Sequence, residues 1–177
     1  MTTIVAIQSE TGVTFGADSL VTAERKFNHP RMVKISQRGQ FIIAGAGEVA
    51  ACDIAQHIWN PPNPTATDKK DYYHFIIAKV IPSLKECFED NKYKWENEKG
   101  EDSKFAFLIA IGGEVFDIAY DFAVCLTDTG FYAIGSGSGL AIGALESGKS
   151  VEEALRIASK HDPYTAPPFT YIDQKKA

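Results

Sequence analysis

The chain opens with short runs of apolar and β-branched residues that are separated by polar turns. The runs at 2–7 and 13–18 are rich in Thr, Ile, Val and Phe and flank the turn-forming sequence SETG. This pattern predicts a β-hairpin. Two further predicted strands, 32–36 and 41–44, flank the polar sequence QRGQ. We therefore expect the first part of the chain to form two pairs of strands.

After Gly47 the spacing of the apolar residues becomes that of a helix. Apolar residues recur at every third or fourth position across 49–59, until the sequence PPNP ends the helix. A second helical pattern covers 67–93, and Pro82 within it predicts a kink or a weak point. The highly charged sequence at 92–104 is typical of a solvated helix end and loop.

The second half of the chain again has predicted strands followed by predicted helices. Strands are predicted over 105–135 from the sequences FAFLIAIG, EVFDIAY, FAVCLTD and FYAIG. A helix over 139–147 follows, with Gly148 as its expected C-cap. The next helix begins at Ser150, which together with Glu153 makes the S-x-x-E pattern of a capping box.

A predicted strand at 169–172 ends this order of strands, two helices, strands, two helices and strand. The sequences FIIAGAG and FAFLIAIG lack a polar face, which indicates strands buried on both faces. An α+β fold of two antiparallel sheets, packed face to face and each covered by helices, satisfies the order. A doubly wound parallel sheet is excluded because strands and helices do not alternate. We expect 1–177 to be a single domain, since no repeat or linker divides it.

The composition is that of a soluble globular protein, with 45% hydrophobic and 23% charged residues. The sequence contains neither the roughly 20 apolar residues of a membrane helix nor a signal peptide, so we expect a cytoplasmic protein without membrane contact. The net charge of −5 and the scattered lysines argue against a nucleic-acid partner. The three cysteines and four histidines show no ligand spacing, so no metal or other cofactor is expected.

Candidate chemistry begins at the N-terminus. Removal of Met1 would expose Thr2, whose hydroxyl and free amine would provide a nucleophile and a base on one residue. An unperturbed terminal amine has a pKa of roughly 7.7 to 8.0, which suits a base at neutral pH. A first edge strand is the favoured interpretation of these letters alone, because many unrelated chains begin with Met-Thr.

Two charged residues share a regular spacing with Thr2. Asp18 ends a predicted strand in the sequence GADS, where an aspartate usually forms a turn. Lys34 lies in the apolar sequence MVKIS, and strand alternation alone predicts that it points to solvent. Thr2, Asp18 and Lys34 lie 16 positions apart, each at an equivalent place on a strand, which favours a shared site.

Two glycine-rich junctions join strands to helices. The sequence AGAGE at 44–48 would present backbone N–H groups and a positive helix end, which suits a developing oxyanion, although a tight turn would also require glycine. The sequence GSGSG at 135–139 matches no phosphate-binding motif. Asp162 and Thr165 in HDPYTAPP form either an Asx-type turn or a pair that bonds back to the N-terminal amine and hydroxyl.

Together these motifs resemble a proteasome beta-type subunit, and the compact length is most similar to the bacterial HslV peptidases and their small bacterial and viral relatives. The resemblance covers both ends of the chain in the family's order, whereas 54–104 carries no motif. The motifs are TTIVA at 2–6, GADS at 16–19, KI at 34–35, GAG at 45–47, AIGSGS at 133–138, the following LAIGALESG with EEAL, and DPYT at 162–165. The resemblance implies the four-layer αββα sandwich of N-terminal nucleophile hydrolases.

The resemblance also implies a threonine-type endopeptidase in which Thr2 is the nucleophile and its own amine, directly or through water, is the base. Lys34 would supply a positive field, and Asp18 would hold and neutralise Lys34. The backbone N–H of Gly47 would form the oxyanion hole, with Gly45 as the less favoured alternative.

Ser136, Asp162 and Thr165 match the family's supporting set around the amine, with Thr165 where many relatives carry serine. No propeptide precedes Thr2, so we expect removal of Met1 to suffice for activation. The family further implies a homo-oligomeric ring or stacked double ring, a peptide or unfolded protein as substrate, and an ATPase unfoldase as a candidate partner.

Two alternatives share this fold. The first is a noncatalytic structural ring subunit, against which the presence of Thr2, Asp18 and Lys34 argues. The second is a small N-terminal nucleophile amidase that acts on a nonpeptide amide. The assembly state would separate this amidase from a ring peptidase.

Overall fold

The computed structural model describes residues 2–22, 26–27, 32–95 and 104–176. These residues form two large antiparallel sheets that pack face to face, with helices on both outer faces. The α+β architecture of two covered antiparallel sheets predicted from the sequence is thereby confirmed. The strands are β1 (Thr3–Ser9), β2 (Gly12–Ala17), β3 (Val21–Thr22), β4 (Lys26–Phe27), β5 (Ile35–Arg38), β6 (Phe41–Gly47), β7 (Phe105–Ile111), β8 (Glu114–Ile118), β9 (Val124–Cys125), β10 (Phe131–Gly135) and β11 (Thr170–Lys175).

The helices lie in two groups, one on each side of the paired sheets. The first group covers the sheet that contains β6 and β7, and the second covers the sheet that contains β1. The α-helices are α1 (Val49–Asp53), α2 (Tyr72–Phe75), α3 (Ile81–Asp90), α4 (Ser138–Glu146) and α5 (Val151–His161). A π-helical segment, Ile54–Ile58, extends α1, and a second one, Ile76–Val80, joins α2 to α3. Within the described part of the chain, no helix has the length and apolar character needed to cross a membrane.

The first strand lies in the interior of its sheet. The strand order is β10-β1-β2-β11 in this sheet and β5-β6-β7-β8-β9 in the other, while β3 and β4 form a small separate ribbon. Thr3 is paired with Gly135 of β10, and Ile4 is paired with Ala17 of β2. The residue before β1 therefore lies next to the ends of two neighbouring strands.

Strands β6 and β7 bury both of their faces, as their continuous apolar sequences predict. Their small and aliphatic residues face the other sheet, where Ala44, Ala46 and Leu108 contribute to the core between the sheets. Their larger residues, including Phe41 and Phe107, face the helices of the first group. This alternation of side chains across a strand fixes which residues can reach the space between the sheets.

The second helical stretch begins later than predicted and accommodates its proline without a break. It starts at Tyr72 because the side chain of Asp71 caps the helix by accepting a 2.9 Å hydrogen bond from the His74 N–H. Pro82 lies in the first turn of α3, directly after the π-helical segment, a position that tolerates proline's fixed φ and missing N–H. The helix type thus changes directly before Pro82, at the place where a kink or a weak point is predicted.

Two strand predictions differ from the structure. Only Val124–Cys125 of the predicted strand 122–128 pairs with β8, because Phe122 has a φ of 65° in a tight turn after Ala119. The strand predicted over 32–36 begins at Ile35, so Lys34 precedes it. The capping box of α5 at Ser150 is confirmed by hydrogen bonds in both directions with Glu153.

Candidate functional site

Three of the predicted site residues line one cavity. Thr2, Lys34 and Gly47 surround a space of about 150 Å³ that lies between β6, the start of α1 and the ribbon strand β3. Thr2 is buried and directly precedes the interior strand β1. The start of the chain and the end of β6 therefore meet at this cavity, as the motif resemblance implies.

Asp18 forms hydrogen bonds with both backbone groups of Thr3, the residue that follows Thr2. It follows β2 directly, and its Oδ1 accepts a 2.8 Å hydrogen bond from the Thr3 N–H, while its own N–H donates to the Thr3 carbonyl at 3.1 Å. Its Oδ2 accepts from the N–H groups of Leu20 at 2.9 Å and Ala166 at 3.3 Å. The carboxylate is buried, and these backbone donors stabilise its charge.

Lys34 points into the protein, so the orientation predicted from alternation is wrong. Its ammonium donates to Asp18 Oδ1 at 2.7 Å and to the Leu20 carbonyl at 2.6 Å, and its side chain is only 7% exposed. Alternation fails here because Lys34 precedes β5, and because the buried acid compensates the buried cation. Burial lowers the pKa of Lys34, and the charge of Asp18 offsets this effect only in part.

The backbone of β6 distinguishes the two candidate oxyanion donors. The Gly45 N–H already donates to the Lys34 carbonyl at 3.1 Å. The N–H of Glu48 donates to the carbonyl of Lys104, the residue before β7. Alternation therefore directs the Gly47 N–H away from β7 and towards the side where Lys34 lies. Gly47 has a φ of 103°, a backbone conformation that residues other than glycine rarely adopt. This geometry favours Gly47 over Gly45 as a donor to a bound carbonyl.

Ser136, Asp162 and Thr165 form one hydrogen-bonded group beside Thr2. Asp162 Oδ2 accepts from the hydroxyls of Ser136 at 2.7 Å and Thr165 at 2.5 Å, and the Ser136 hydroxyl lies 3.3 Å from the Thr2 carbonyl oxygen. Burial alone would raise the pKa of Asp162, but the hydrogen bonds from Thr165, Ser136 and the Tyr164 N–H lower it below its ordinary value. Asp162 is therefore held as a carboxylate at neutral pH.

Two residues of this region were missed by the sequence reasoning. The Thr3 hydroxyl lies 2.5 Å from that of Thr165 and extends the Asp162 group into β1. Gln56 is buried and lines the cavity from the π-helical segment, where it contacts Lys34. Thr3 carried a weak signal, since a threonine at the start of a buried strand needs a partner for its hydroxyl. No signal identified Gln56.

The arrangement suits hydroxyl chemistry rather than thiol chemistry. Cys52 also lines the cavity, but burial, and secondly the charge of Asp53, raise the pKa of its thiol to about 12. The thiol is therefore protonated at neutral pH and is a poor nucleophile. Across the ranges that the structure describes, no three His, Cys, Asp or Glu side chains are grouped so that they could hold a metal ion.

Comparisons with known proteins give structural matches only. No protein-family model and no curated protein sequence matches the chain. The solved structure of Thiobacillus denitrificans BPH in complex with epoxomicin matches with a TM-score of 0.75 and 19% identity, over 99% of both chains. Eukaryotic HslV from Trypanosoma brucei matches with a TM-score of 0.66 and 17% identity, over 98% of this chain and 99% of that chain.

A further match is Anbu, described as an ancestral beta-subunit, from Yersinia bercovieri. Its TM-score is 0.65 and its identity 15%, over 97% of this chain and 80% of that chain. Identities this low establish the fold alone. The chain therefore has the fold of the proteasome-like N-terminal nucleophile hydrolases, which confirms the αββα fold that the motifs implied.

Proposed function

We propose that the chain is a threonine-type endopeptidase subunit that uses Thr2 as its nucleophile once Met1 has been removed. The observation that carries this proposal is the buried ion pair of Lys34 and Asp18, 2.7 Å long, beside the cavity that Thr2 lines. A buried cation next to a hydroxyl stabilises the negative charge that develops on the oxygen during attack. A purely structural role would not require this charge to be buried.

The first half of the proposed reaction forms an ester. The Thr2 hydroxyl oxygen bonds to the carbonyl carbon of the peptide, and its proton moves to the free Thr2 amine, directly or through a water molecule. The carbonyl oxygen becomes an oxyanion, which the Gly47 N–H stabilises. The tetrahedral intermediate collapses, the C–N bond breaks, and the amine returns the proton to the leaving nitrogen.

The second half hydrolyses the ester. A water molecule loses a proton to the Thr2 amine and bonds to the acyl carbon, and the C–O bond to Thr2 breaks as the hydroxyl regains a proton. Lys34 acts electrostatically in both halves, and the charge of Asp18 offsets the cost of burying its ammonium. In this proposal the group of Ser136, Asp162 and Thr165 orients the amine, a role that the 3.3 Å hydrogen bond from the Ser136 hydroxyl to the Thr2 carbonyl oxygen supports.

The proposal includes assembly into a closed ring of identical chains or a stacked pair of rings. An unselective peptidase in the cytoplasm needs an enclosed chamber, and unfolded proteins would be its substrates. The helices of the first group leave several apolar side chains exposed, which favours their contact with another copy. These side chains are Val49, Ile58, Tyr73 and Ile77. An ATPase unfoldase partner stays a prediction.

The decisive experiment combines intact-mass measurement with labelling. Protein shown by mass to have lost Met1 is treated with a threonine-reactive electrophile, and the modified residue is located by peptide mapping. We expect one label per chain, on Thr2, with loss of peptide cleavage and with protection by epoxomicin, the compound present with BPH. Thr2→Ala should abolish labelling, whereas Thr2→Ser, which keeps the hydroxyl, should retain it.

The assembly requires its own measurement. Light scattering at concentrations where peptide cleavage occurs should give the mass of a closed ring. A monomer with full activity would contradict the ring, and an unlabelled, inactive protein that lacks Met1 would contradict the peptidase.

A further inference from the structure

Glu48 directly follows Gly47, the proposed oxyanion donor, and occupies the N-cap position of α1. Side chains at this position usually accept a hydrogen bond from the first turn of the helix. Among the described residues of α1, none donates to the Glu48 side chain. Its Oε2 instead accepts a 2.8 Å hydrogen bond from the hydroxyl of Tyr93, 45 residues further along the chain. The Glu48 side chain therefore links the end of β6 to a segment that is distant in the sequence.

Tyr93 is held in place by the way α3 ends. Directly after this helix, Lys92 has a left-handed φ of 56°. The Lys92 N–H donates to the Glu89 carbonyl, and the Tyr93 N–H donates to the Phe88 carbonyl, both at 2.9 Å. These two bonds form a Schellman motif, which is frequently accompanied by an apolar contact across the turn. The rings of Tyr93 and Phe88 make that contact, with their centroids 5.1 Å apart, so the Tyr93 hydroxyl has a defined position.

The proposed oxyanion donor lies where the pairing of β6 with β7 ends. Gly47 is paired with Phe105, the first residue of β7. Just beyond this pair, the Glu48 N–H donates to the Lys104 carbonyl at 3.1 Å. Hydrogen bonds at the end of a paired segment open most readily, and glycine has the widest backbone freedom. The direction of the Gly47 N–H therefore depends on contacts that keep this end of the strand pair closed.

Tyr93 contacts both strands at this point. On the β6 side its hydroxyl donates to the Glu48 carboxylate, and a bond from a hydroxyl to a carboxylate is stronger than one between neutral groups. On the β7 side its ring lies next to the buried ring of Phe105, with the two centroids 6.4 Å apart. One side chain therefore bridges the two strands at the end where the oxyanion donor lies.

We infer that Tyr93 is a positioning residue of the proposed peptidase. Its hydroxyl holds Glu48, and Glu48 keeps the end of β6 closed against β7, so that the Gly47 N–H points at the oxygen of the attacked carbonyl. The inference rests on the proposed function and adds to it a residue that acts through Glu48. Because negative charge develops on that oxygen only during the reaction, loss of the Tyr93 hydroxyl should lower kcat more than it raises KM.

The first test compares Tyr93→Phe with the parent protein, both without Met1. The change removes the hydroxyl and keeps the ring that packs on Phe88. Loss of a complete oxyanion donor lowers kcat by a factor of about 100 to 1,000, so we expect roughly a tenfold fall for a misdirected one. KM should stay within about twofold of the parent value. Tyr171→Phe, a matched change at an exposed tyrosine of β11, should leave both constants unchanged.

A pair of inhibitors separates positioning from a general structural effect. In a peptide aldehyde, the aldehyde carbon bonds reversibly to the Thr2 hydroxyl oxygen, the hydroxyl proton passes to the Thr2 amine, and the aldehyde oxygen takes the place of the oxyanion. The corresponding peptide alcohol binds without forming this bond. Tyr93→Phe should weaken inhibition by the aldehyde about as much as it lowers kcat/KM, and should leave inhibition by the alcohol unchanged. Equal weakening of both inhibitors would indicate a structural role and overturn the inference.

Variants of Glu48 test whether Tyr93 acts through this residue. Glu48→Gln keeps an oxygen that can accept from the Tyr93 hydroxyl, so it should retain most of the activity. Glu48→Ala should match Tyr93→Phe, and the double variant should be no worse than either single one, because the two side chains form one interaction. Additive losses would overturn the inference. Glu48 is exposed, so Glu48→Ala tests the same hydrogen bond if Tyr93→Phe fails to assemble.

The outcomes separate this inference from the proposed function. Circular dichroism and assembly mass identify the variants that are folded. Full kcat in folded Tyr93→Phe or Glu48→Ala, beside a parent protein that cleaves peptides, would overturn the inference and leave the peptidase standing. A parent protein without Met1 that neither cleaves peptides nor reacts with the aldehyde would overturn both.

Discussion

The side-chain amide of Gln56 donates a 2.8 Å hydrogen bond to the backbone carbonyl of Lys34, the same oxygen that accepts from the Gly45 N–H. Gln56 lies in the π-helical segment that extends α1, and π-helical turns occur frequently at functional sites. The helical layer is thereby attached to the short segment that carries the buried lysine. The position of the Lys34 ammonium depends on this helix as well as on Asp18.

Gln56→Ala should lower the free energy of unfolding by about 1 to 2 kcal/mol, because a buried hydrogen bond to the Lys34 carbonyl is lost. Peptide cleavage should fall as well, since the hydrogen bond that holds the Lys34 backbone is lost. Urea denaturation and kcat measure the two effects. Gln37→Ala, a matched change at an exposed position, should alter stability by less than about 0.5 kcal/mol. Equal effects of the two variants would show that the buried amide contributes nothing.

Lys34→Ala should reduce peptide hydrolysis by a factor on the order of a hundred or more, because it removes the cation beside the developing alkoxide. Lys34→Arg should restore only part of the rate, since the guanidinium is planar, bulkier and distributes its charge differently. Asp18→Ala should lower both activity and stability, because it leaves the buried ammonium unpaired.

Lys149→Ala serves as the control for the lysine variants, since this side chain is 47% exposed and belongs to a surface pair with Glu153. Light scattering should give the same assembly mass for all of these proteins. Turnover of Lys34→Ala within a few fold of the parent, in protein that has lost Met1, would mean that the site assignment is wrong.

Thr165→Val should be more harmful than Thr165→Ser. The Thr165 hydroxyl lies between Thr3 and Asp162, 2.5 Å from each, and valine would leave the Thr3 hydroxyl buried without a partner. We expect a loss of about 1 to 3 kcal/mol in the free energy of unfolding for valine, and a smaller loss for serine. Chemical denaturation of the two variants side by side measures the difference, and identical losses would contradict a role for the hydroxyl.

The contribution of Asp162 to stability should depend on pH. Its pKa is lowered in the folded protein, so the stabilisation is present above the unfolded value of roughly 3.9 and is lost as the pH falls through the folded value. Asp162→Asn should therefore lose more stability at pH 7 than at pH 3. The exposed control Asp128→Asn should change stability little at either pH. A deficit that grows on acidification would reverse the sign and contradict the prediction.

Sequence patterns within single helices and strands predicted much of the fold, but they could not predict every contact of the site. The Ser150 capping box and the burial of β6 and β7 on both faces depend on residues that are close together in the sequence. Both features could therefore be predicted from the sequence alone. The burial of Lys34 depends on where β5 starts to pair with β6, which alternation cannot specify. Gln56 escaped notice because helical periodicity assumes 3.6 residues per turn, and the π-helical segment changes which residues face the cavity.

Thr2 and the end of β11 have different surroundings, and this affects how the protein should be produced. A purification tag fused ahead of Thr2 would block the amine and place extra chain beside the cavity. Strand β11 instead runs along the edge of its sheet, and it ends where Lys175 pairs with Gly12, at the opposite end of β2 from Asp18. Five residues of β2 lie between Gly12 and Asp18, so six residue rises, roughly 20 Å, separate the two positions. Affinity handles, fluorophores and surface tethers therefore belong after β11, where they leave the N-terminus free.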